Sequence, residues 1–308
     1  MIKVKSAFLF PGQGSQYVGM LHDLPNNKEV KEIIEVATDL LKVKISDLDN
    51  ETALRKTKAV QLSLLICGVA SFEIFKQERA IPDYVAGHSV GAFSAAVASG
   101  VLSFEDALKI VSLRGELMET FYDSGFGMGV VLGLDESKLQ QIVEQVHSDL
   151  QPVYVSNRNA PTQLTISGSI NGIQKVIDFS QRAGAMSAKL LNVSTPSHCP
   201  LFDEVSYELL KALNEVEINR PKIPYSSNLR ARLLRRGEDI KEDLAFSISR
   251  PVLWHDATNV LYENGVRLFI EIPPKEVLSK LAMNAFPESR CMAVSKSGFD
   301  DCIYILQN

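Results

Sequence analysis

The sequence predicts an α/β protein, a large domain interrupted by a smaller ferredoxin-like unit, and three observations predict it. Short apolar runs of strand length alternate with segments of helical periodicity along most of the 308 residues. The run Tyr84-Val-Ala-Gly87-His88-Ser89-Val90-Gly91-Ala92-Phe93 sets Gly-x-Ser-x-Gly between an apolar strand-like segment and a small-residue helical one, the order of a nucleophile elbow. Between Gly127 and Asn192 the pattern becomes strand, helix, strand, strand, helix, strand, the βαββαβ order of a ferredoxin-like unit. The expected division is residues 1–127 and 193–308 for the large domain and 128–192 for the inserted one, with the ligand cleft between them.

Composition limits the function classes. A chain that is 45% hydrophobic and 22% charged is an ordinary globular one. A net charge of −5 gives no global reason to bind nucleic acid, so any anionic ligand must be held by local basic groups. The N-terminal apolar run Ala7-Phe-Leu-Phe10 ends at Pro11-Gly12, too short for a signal-peptide core, and Val60 to Phe75 is interrupted by Gln61, Ser63, Ser71 and Glu73. A cytoplasmic protein without membrane partners is expected. Cys67, Cys199, Cys291 and Cys302 lack CxxC spacing and are expected as reduced thiols, with no metal site.

In chain order, Ala7–Phe10 reads as a buried strand running into Pro11-Gly12-Gln13-Gly14-Ser15-Gln16, a turn whose amides either face an anion or simply close a βα loop. It is not a phosphate-binding Walker loop, since no Gly-Lys-Ser/Thr follows. Helical spacing spans Lys28 to Leu41 and Thr52 to Gln77. Within the second, Gln61 faces either a pocket or solvent, and solvent is the expectation from the residues alone. The elbow strand and helix follow Pro82. Ser103-Phe-Glu-Asp106 is a capping box opening a helix to about Phe121. Ala107, Ile110, Val111, Leu117, Met118 and Phe121 form its apolar stripe, with Arg114 in the middle. A guanidinium there must meet an anion, either an internal carboxylate or a ligand, or leave the core by snorkelling.

After the inserted unit, Pro200 opens a helix to about Glu215 and places His198 at its N-terminus, where the dipole favours a neutral imidazole. His198 is either a general base or a capping residue. Asn228-Leu-Arg230-Ala-Arg232-Leu-Leu-Arg235-Arg236-Gly237 is the one basic cluster, a docking patch or a solvated hairpin. A helix to about Ser249, a helix to Asn264, the strand Arg267–Glu271, the Pro273-Pro274 break and a last helix near Glu276 to Ala285 complete the reading.

Phe10-Pro-Gly-Gln13-Gly-Ser-Gln16, Gly87-His-Ser89-Val-Gly91, Leu113-Arg114-Gly115, Asn159 and Pro196-Ser-His198-Cys199 occur together and in order. On them the chain resembles the malonyl-CoA:acyl carrier protein transacylases over essentially its whole length. In Gly87–Phe93, and in Trp254-His-Asp-Ala-Thr258 with Leu268-Phe-Ile-Glu-Ile-Pro-Pro274, it is most similar to the transferase (epsilon) subunit of malonate decarboxylase. The resemblance implies an acyltransferase fold, with a hydrolase-like large domain, and no bound cofactor. It implies ping-pong transfer of malonyl from malonyl-CoA to a carrier-protein thiol. Ser89 is then the nucleophile, His198 the base, the backbone amides of Gln13 and Val90 the oxyanion donors and Arg114 the partner of the malonyl carboxylate. Gln61 and Asn159 become pocket residues. Ser247 stands where relatives carry a glutamine whose backbone carbonyl orients the histidine. Ala92 replaces a glutamate found in many relatives, Pro273-Pro274-Lys275 replaces a Gly-Pro-Gly-type turn, and no acidic third triad member is evident. The alternatives are malonyl transfer for fatty acid or polyketide synthesis, a serine thioesterase or esterase, and an inactive carrier-docking subunit.

Overall fold

The computed structural model describes residues 4–122 and 124–308. The chain opens with β1 (Lys5–Phe10), whose side chains from Ser6 onward are buried. Then come α1 (Lys28–Leu41), capped by the Asn27 side chain accepting from the Val30 N–H, and α2 (Thr57–Gln77). β2 (Tyr84–Gly87), α3 (Gly91–Ala98) and α4 (Phe104–Thr120) follow. The Ser103 hydroxyl accepts from the Asp106 N–H at 3.0 Å, the expected cap of α4, and donates to the Asp106 carboxylate at 2.8 Å.

Next are β3 (Phe126–Leu132), α5 (Glu136–Val146), β4 (Val153–Ala160), β5 (Gln163–Ser169), α6 (Ile170–Arg182) and β6 (Ser187–Leu190). The chain continues through α7 (Asp203–Asn214), β7 (Tyr225–Ser226), β8 (Leu233–Leu234), α8 (Gly237–Phe246), α9 (Trp254–Glu263) and β9 (Val266–Glu271). It ends with α10 (Val277–Ala285), β10 (Arg290–Ala293) and α11 (Val294–Gln307), the last being two helical pieces joined at Gly298.

Two sheets result. The six-stranded sheet has the order β10-β9-β1-β2-β7-β8. Its strands are parallel except β8, which returns antiparallel to β7. The four-stranded sheet, order β4-β5-β3-β6, is antiparallel throughout, and α5 and α6 pack on it around their own apolar core of Leu139, Ile142, Ile166 and Ile173. This is the βαββαβ unit expected from the change of periodicity. It is tied to the main sheet side through β4: Arg158 N–H donates to Val252 O and Val252 N–H to Ser156 O, each at 2.9 Å.

Helix α2 is long and apolar enough by composition to cross a membrane, but 89% of that stretch is buried inside the molecule. It is a core helix, and Phe8 and Phe75 pack against each other at the sheet it covers. One expectation is corrected. The helix at Val277–Ala285 is not the last element, since β10 and α11 follow. A four-residue strand gives too little alternation to recognise, and Gly298, at φ 78, breaks the period of the final helix. The basic cluster lies in a hairpin, as one of its two readings has it, formed by β7 and β8 pairing antiparallel, and Arg230 pairs with Glu242 at 2.5 Å.

Candidate active site

The loops leaving β1 and β2 at their C-terminal ends meet. His88 N–H donates to Phe10 O at 2.9 Å, and a Cβ on Gly91 would lie 2.2 Å from that same Phe10 oxygen, so only glycine fits there. Ser89 sits in the left-handed region at φ 53. That conformation costs a side-chain-bearing residue about 1–3 kcal/mol and persists only where neighbours hold it. Here the Ser89 N–H donates to Asn228 Oδ1 at 3.2 Å, and the Asn228 amide donates to Gly87 O at 2.8 Å.

His198 reaches the elbow from the segment before α7. Its Nε2 lies 2.8 Å from Ser89 Oγ and its Nδ1 lies 2.5 Å from the carbonyl oxygen of Ser247. The carbonyl can only accept, so it fixes the proton on Nδ1 and leaves the Nε2 lone pair facing the serine hydroxyl. Burial pushes the imidazole pKa down to about 3, with the Arg114 charge acting in the same direction and the Ser247 carbonyl against it. The neutral histidine expected from a helix dipole is therefore neutral mainly for another reason. Only a short 3-10 turn, Pro200–Phe202, follows it, and α7 begins at Asp203.

Arg114 is 1% exposed. Its NH2 lies 3.3 Å from Ser89 Oγ, its NH1 lies 3.4 Å from Met118 Sδ, and its Nε has no partner. Among the described residues no carboxylate pairs with it, so the internal salt bridge open at the level of sequence is not what the fold supplies. Burial lowers its pKa, but a delocalised guanidinium remains charged at neutral pH. Gln61 is buried beside it, with Nε2 3.0 Å from Met118 Sδ and Oε1 unpartnered. The expectation that Gln61 faces solvent is wrong, because α2 is covered on every side and has no solvent face at that turn.

These groups line a cavity of about 190 Å³ that also receives Gln13, Val90 and Asn159, with Val277, Leu278 and Leu281 of α10 on its apolar side. Among the described residues the Gln13 and Val90 N–H groups have no acceptor. Asn159 Oδ1 lies 2.9 Å from His88 Nε2. A larger surface cavity of about 650 Å³ beside Lys275 and Phe299 shares only Val277 with this one and reaches neither Ser89 nor Arg114.

Three residues of the site escaped the sequence reading. Asn228 opens the basic cluster in sequence and gives no other signal. Asn157, buried with an unpartnered Oδ1 in the cavity, gave no signal beyond its two-residue spacing from Asn159. Met118 was read only as part of an apolar stripe. Among the described residues no group of three or more potential metal-ligating side chains occurs. The four cysteines are unpaired, and burial pushes Cys67 and Cys199 up to about 12 and Cys291 and Cys302 up to about 11.

A serine and a neutral histidine at the head of a largely parallel sheet, beside a buried cation that no carboxylate among the described residues pairs with, suit acyl transfer from an acidic acyl donor. Residues 7–298 match the acyl transferase domain family, so fold and sequence place the protein among the α/β acyltransferases. The chain is 37% identical over 296 residues to the malonyl CoA-acyl carrier protein transacylase of Bacillus subtilis (strain 168), covering 94% of this chain and 93% of that one. It is 33% identical over 298 residues to the protein of the same name from Haemophilus influenzae, covering 94% and 95%. Its fold superimposes on the Coxiella burnetii malonyl CoA-acyl carrier protein transacylase with a TM-score of 0.92 at 29% identity, over 99% of this chain and 96% of that one. It also superimposes on a malonyl-transacylase solved with a type II PKS acyl-carrier protein, with a TM-score of 0.91 at 32% identity and 99% of both chains. The chain belongs to the malonyl-CoA:acyl carrier protein transacylase family.

Proposed function

We propose that this protein moves a malonyl group from malonyl-CoA to the thiol of a carrier protein through a malonyl-Ser89 ester. The observation that carries the reading is the buried Arg114 guanidinium, without a carboxylate partner among the described residues, beside a Ser89–His198 pair. A plain esterase has no use for a buried cation at that point, whereas the free carboxylate of a malonyl group completes it as a bidentate, charge-assisted pair. In the first half-reaction Ser89 Oγ attacks the thioester carbonyl while His198 Nε2 takes its proton. The unpartnered Gln13 and Val90 amides hold the oxyanion, and collapse expels the CoA thiolate, which takes the proton from His198. In the second, the carrier thiol gives its proton to His198, attacks the ester and returns Ser89 to its free form. The Ser247 carbonyl orients the imidazole and stabilises its charged form, the part an acidic third residue plays elsewhere. The four-stranded unit, residues 128–192, acts as a small domain flanking the cleft.

The relatives, named as malonyl CoA-acyl carrier protein transacylases and one solved with a type II PKS acyl-carrier protein, support a fatty acid or polyketide carrier as acceptor. The motif likeness in Gly87–Phe93 and Leu268–Pro274 supports the finer reading, a malonate decarboxylase transferase subunit acting on a carrier that bears a phosphoribosyl-dephospho-CoA thiol. Initial rates against both substrates test the common core. Parallel double-reciprocal lines are expected for ping-pong transfer, and intersecting lines would count against a covalent intermediate. Running both carriers side by side then decides between the acceptors.

A further inference from the structure

We propose that Asp243 is a positioning residue for acyl transfer. Through Asn228 it sets the Ser89 elbow, and through the helix turn it shares with Ser247 it keeps that elbow in register with His198. The inference rests on the reading of Ser89 and His198 as nucleophile and base.

The left-handed main chain at Ser89 must be held by something outside the elbow, and what holds it is the Asn228 side chain. One amide spans both sides of the turn, accepting from Ser89 N–H and donating to Gly87 O. Asn228 is 2% exposed, and it lies in an irregular segment between β7 and β8 that has no regular structure to place it. Asp243 places it. The buried carboxylate collects four donors, one from β7 and three from that segment. On Oδ2 it receives the Tyr225 hydroxyl at 2.8 Å and the Asn228 N–H at 3.2 Å. On Oδ1 it receives the Leu229 N–H at 3.0 Å and the Ser227 hydroxyl. Burial works against this carboxylate and raises its pKa, while the four donors pull the other way. It also stands in the last turn of α8, at the negative end of the helix dipole, so the helix gains nothing from an acid there.

The same turn holds the histidine. Ser247, four residues on, donates its N–H to Asp243 O at 3.0 Å and accepts from His198 Nδ1 at 2.5 Å. The next carbonyl, Ile248 O, accepts the His198 N–H at 2.6 Å and fixes a second left-handed residue, at φ 65. Ser89 and His198 thus come from two distant parts of the chain, and both are suspended from the C-terminal turn of one helix.

The test is single-turnover acylation of the full-length protein by malonyl-CoA, followed by intact mass, with the melting temperature of each variant measured alongside. Asn228→Ala is expected to slow the maximal acylation rate by about 10–10²-fold while the half-saturating malonyl-CoA concentration stays within about twofold, because Ser89 moves and Arg114 does not. Asp243→Asn should fall in the same direction. Its amide offers one acceptor where two backbone N–H groups need one each, and its NH₂ would oppose whichever is left over. Since Asp243 acts on the elbow through Asn228, the double variant should be no slower than the slower single one. Tyr225→Phe, which removes one donor of four, should stay within about threefold. Unchanged maximal rates, a loss confined to half-saturation, additive losses in the double variant, or a lowered melting temperature with an unchanged rate per folded molecule would each overturn the proposal. If Asp243→Asn does not fold, Asn228→Ala decides alone, because it leaves the carboxylate in place. A wild-type protein that forms no malonyl adduct fails the functional reading itself, and this inference with it.

Discussion

At Arg114 a long cationic side chain is 1% exposed and meets a thioether and a hydroxyl but, among the described residues, no anion. An uncompensated buried charge is expensive, so its place in the fold makes sense once a ligand carboxylate completes it. Arg114→Ala should lower kcat/KM for malonyl-CoA by about 10²–10³-fold, from loss of a buried charge-assisted pair, and leave acetyl-CoA much less affected. Parallel measurements with the two donors check this, and an unchanged malonyl-to-acetyl ratio would remove the carboxylate role. His198 makes a second prediction. Because burial takes its pKa from 6.5 to about 3, the imidazole is already the free base over about pH 5 to 8, and kcat/KM should be flat there with respect to this group. The sign for stability follows: as pH falls below 6.5 the unfolded histidine takes a proton that the folded one refuses until about 3, so acid destabilises the fold through His198. An inflection of kcat/KM near 6.5 that disappears with the His198 side chain would contradict the buried, neutral base. Ser89 and Arg114 were legible in the sequence for opposite reasons, one as a turn pattern and the other as a charge that breaks a stripe. Asn228 was illegible, because an asparagine before four arginines carries no mark of the long-range bond that uses it.

At the scale of elements, Gln13, Ser89 and Ser247 follow the ends of β1, β2 and α8, while Arg114 and Gln61 lie within α4 and α2. Periodicity found most of these elements, including α1 to the residue, since long amphipathic segments announce themselves. It missed β7, β10 and α11, whose lengths or internal glycine leave no period to read, and it could not foresee that α10 walls the cavity. The N-terminus of α10 is held by Glu271 from the end of β9, whose carboxylate accepts the Ser279 N–H at 2.6 Å. Burial pushes Glu271 up to about 7 from 4.5. The folded protein then keeps a proton that the unfolded chain has already released, so stability from this group falls as pH rises between those values. The loss is about 3 kcal/mol at one pKa unit per 1.36 kcal/mol. Glu271→Gln removes the titration but keeps an acceptor for Ser279. Denaturant midpoints should show the variant gaining on the wild type between about pH 5 and pH 8. Parallel pH profiles for the two proteins would refute the assignment.

For the whole molecule, the main sheet presents the β1 and β2 loops, and the four-stranded unit, tied to it by β4 and the Val252 segment, contributes Asn157 and Asn159 to the same cavity. The order of elements and the change of periodicity near residue 128 were enough to expect this architecture, because topology follows from pattern. The meeting of α2, α4 and α8 around Ser89 was not readable, because it depends on packing between segments far apart in sequence. The central claim is that this meeting builds a malonyl-serine enzyme. Brief exposure of the protein to malonyl-CoA or acetyl-CoA, followed by intact mass spectrometry and peptide mapping, tests it most directly. The account predicts a malonyl adduct on Ser89, little acetyl adduct, and none on a Ser89→Ala variant. A malonyl adduct that survives Ser89→Ala, or CoA released continuously with no adduct, would contradict it.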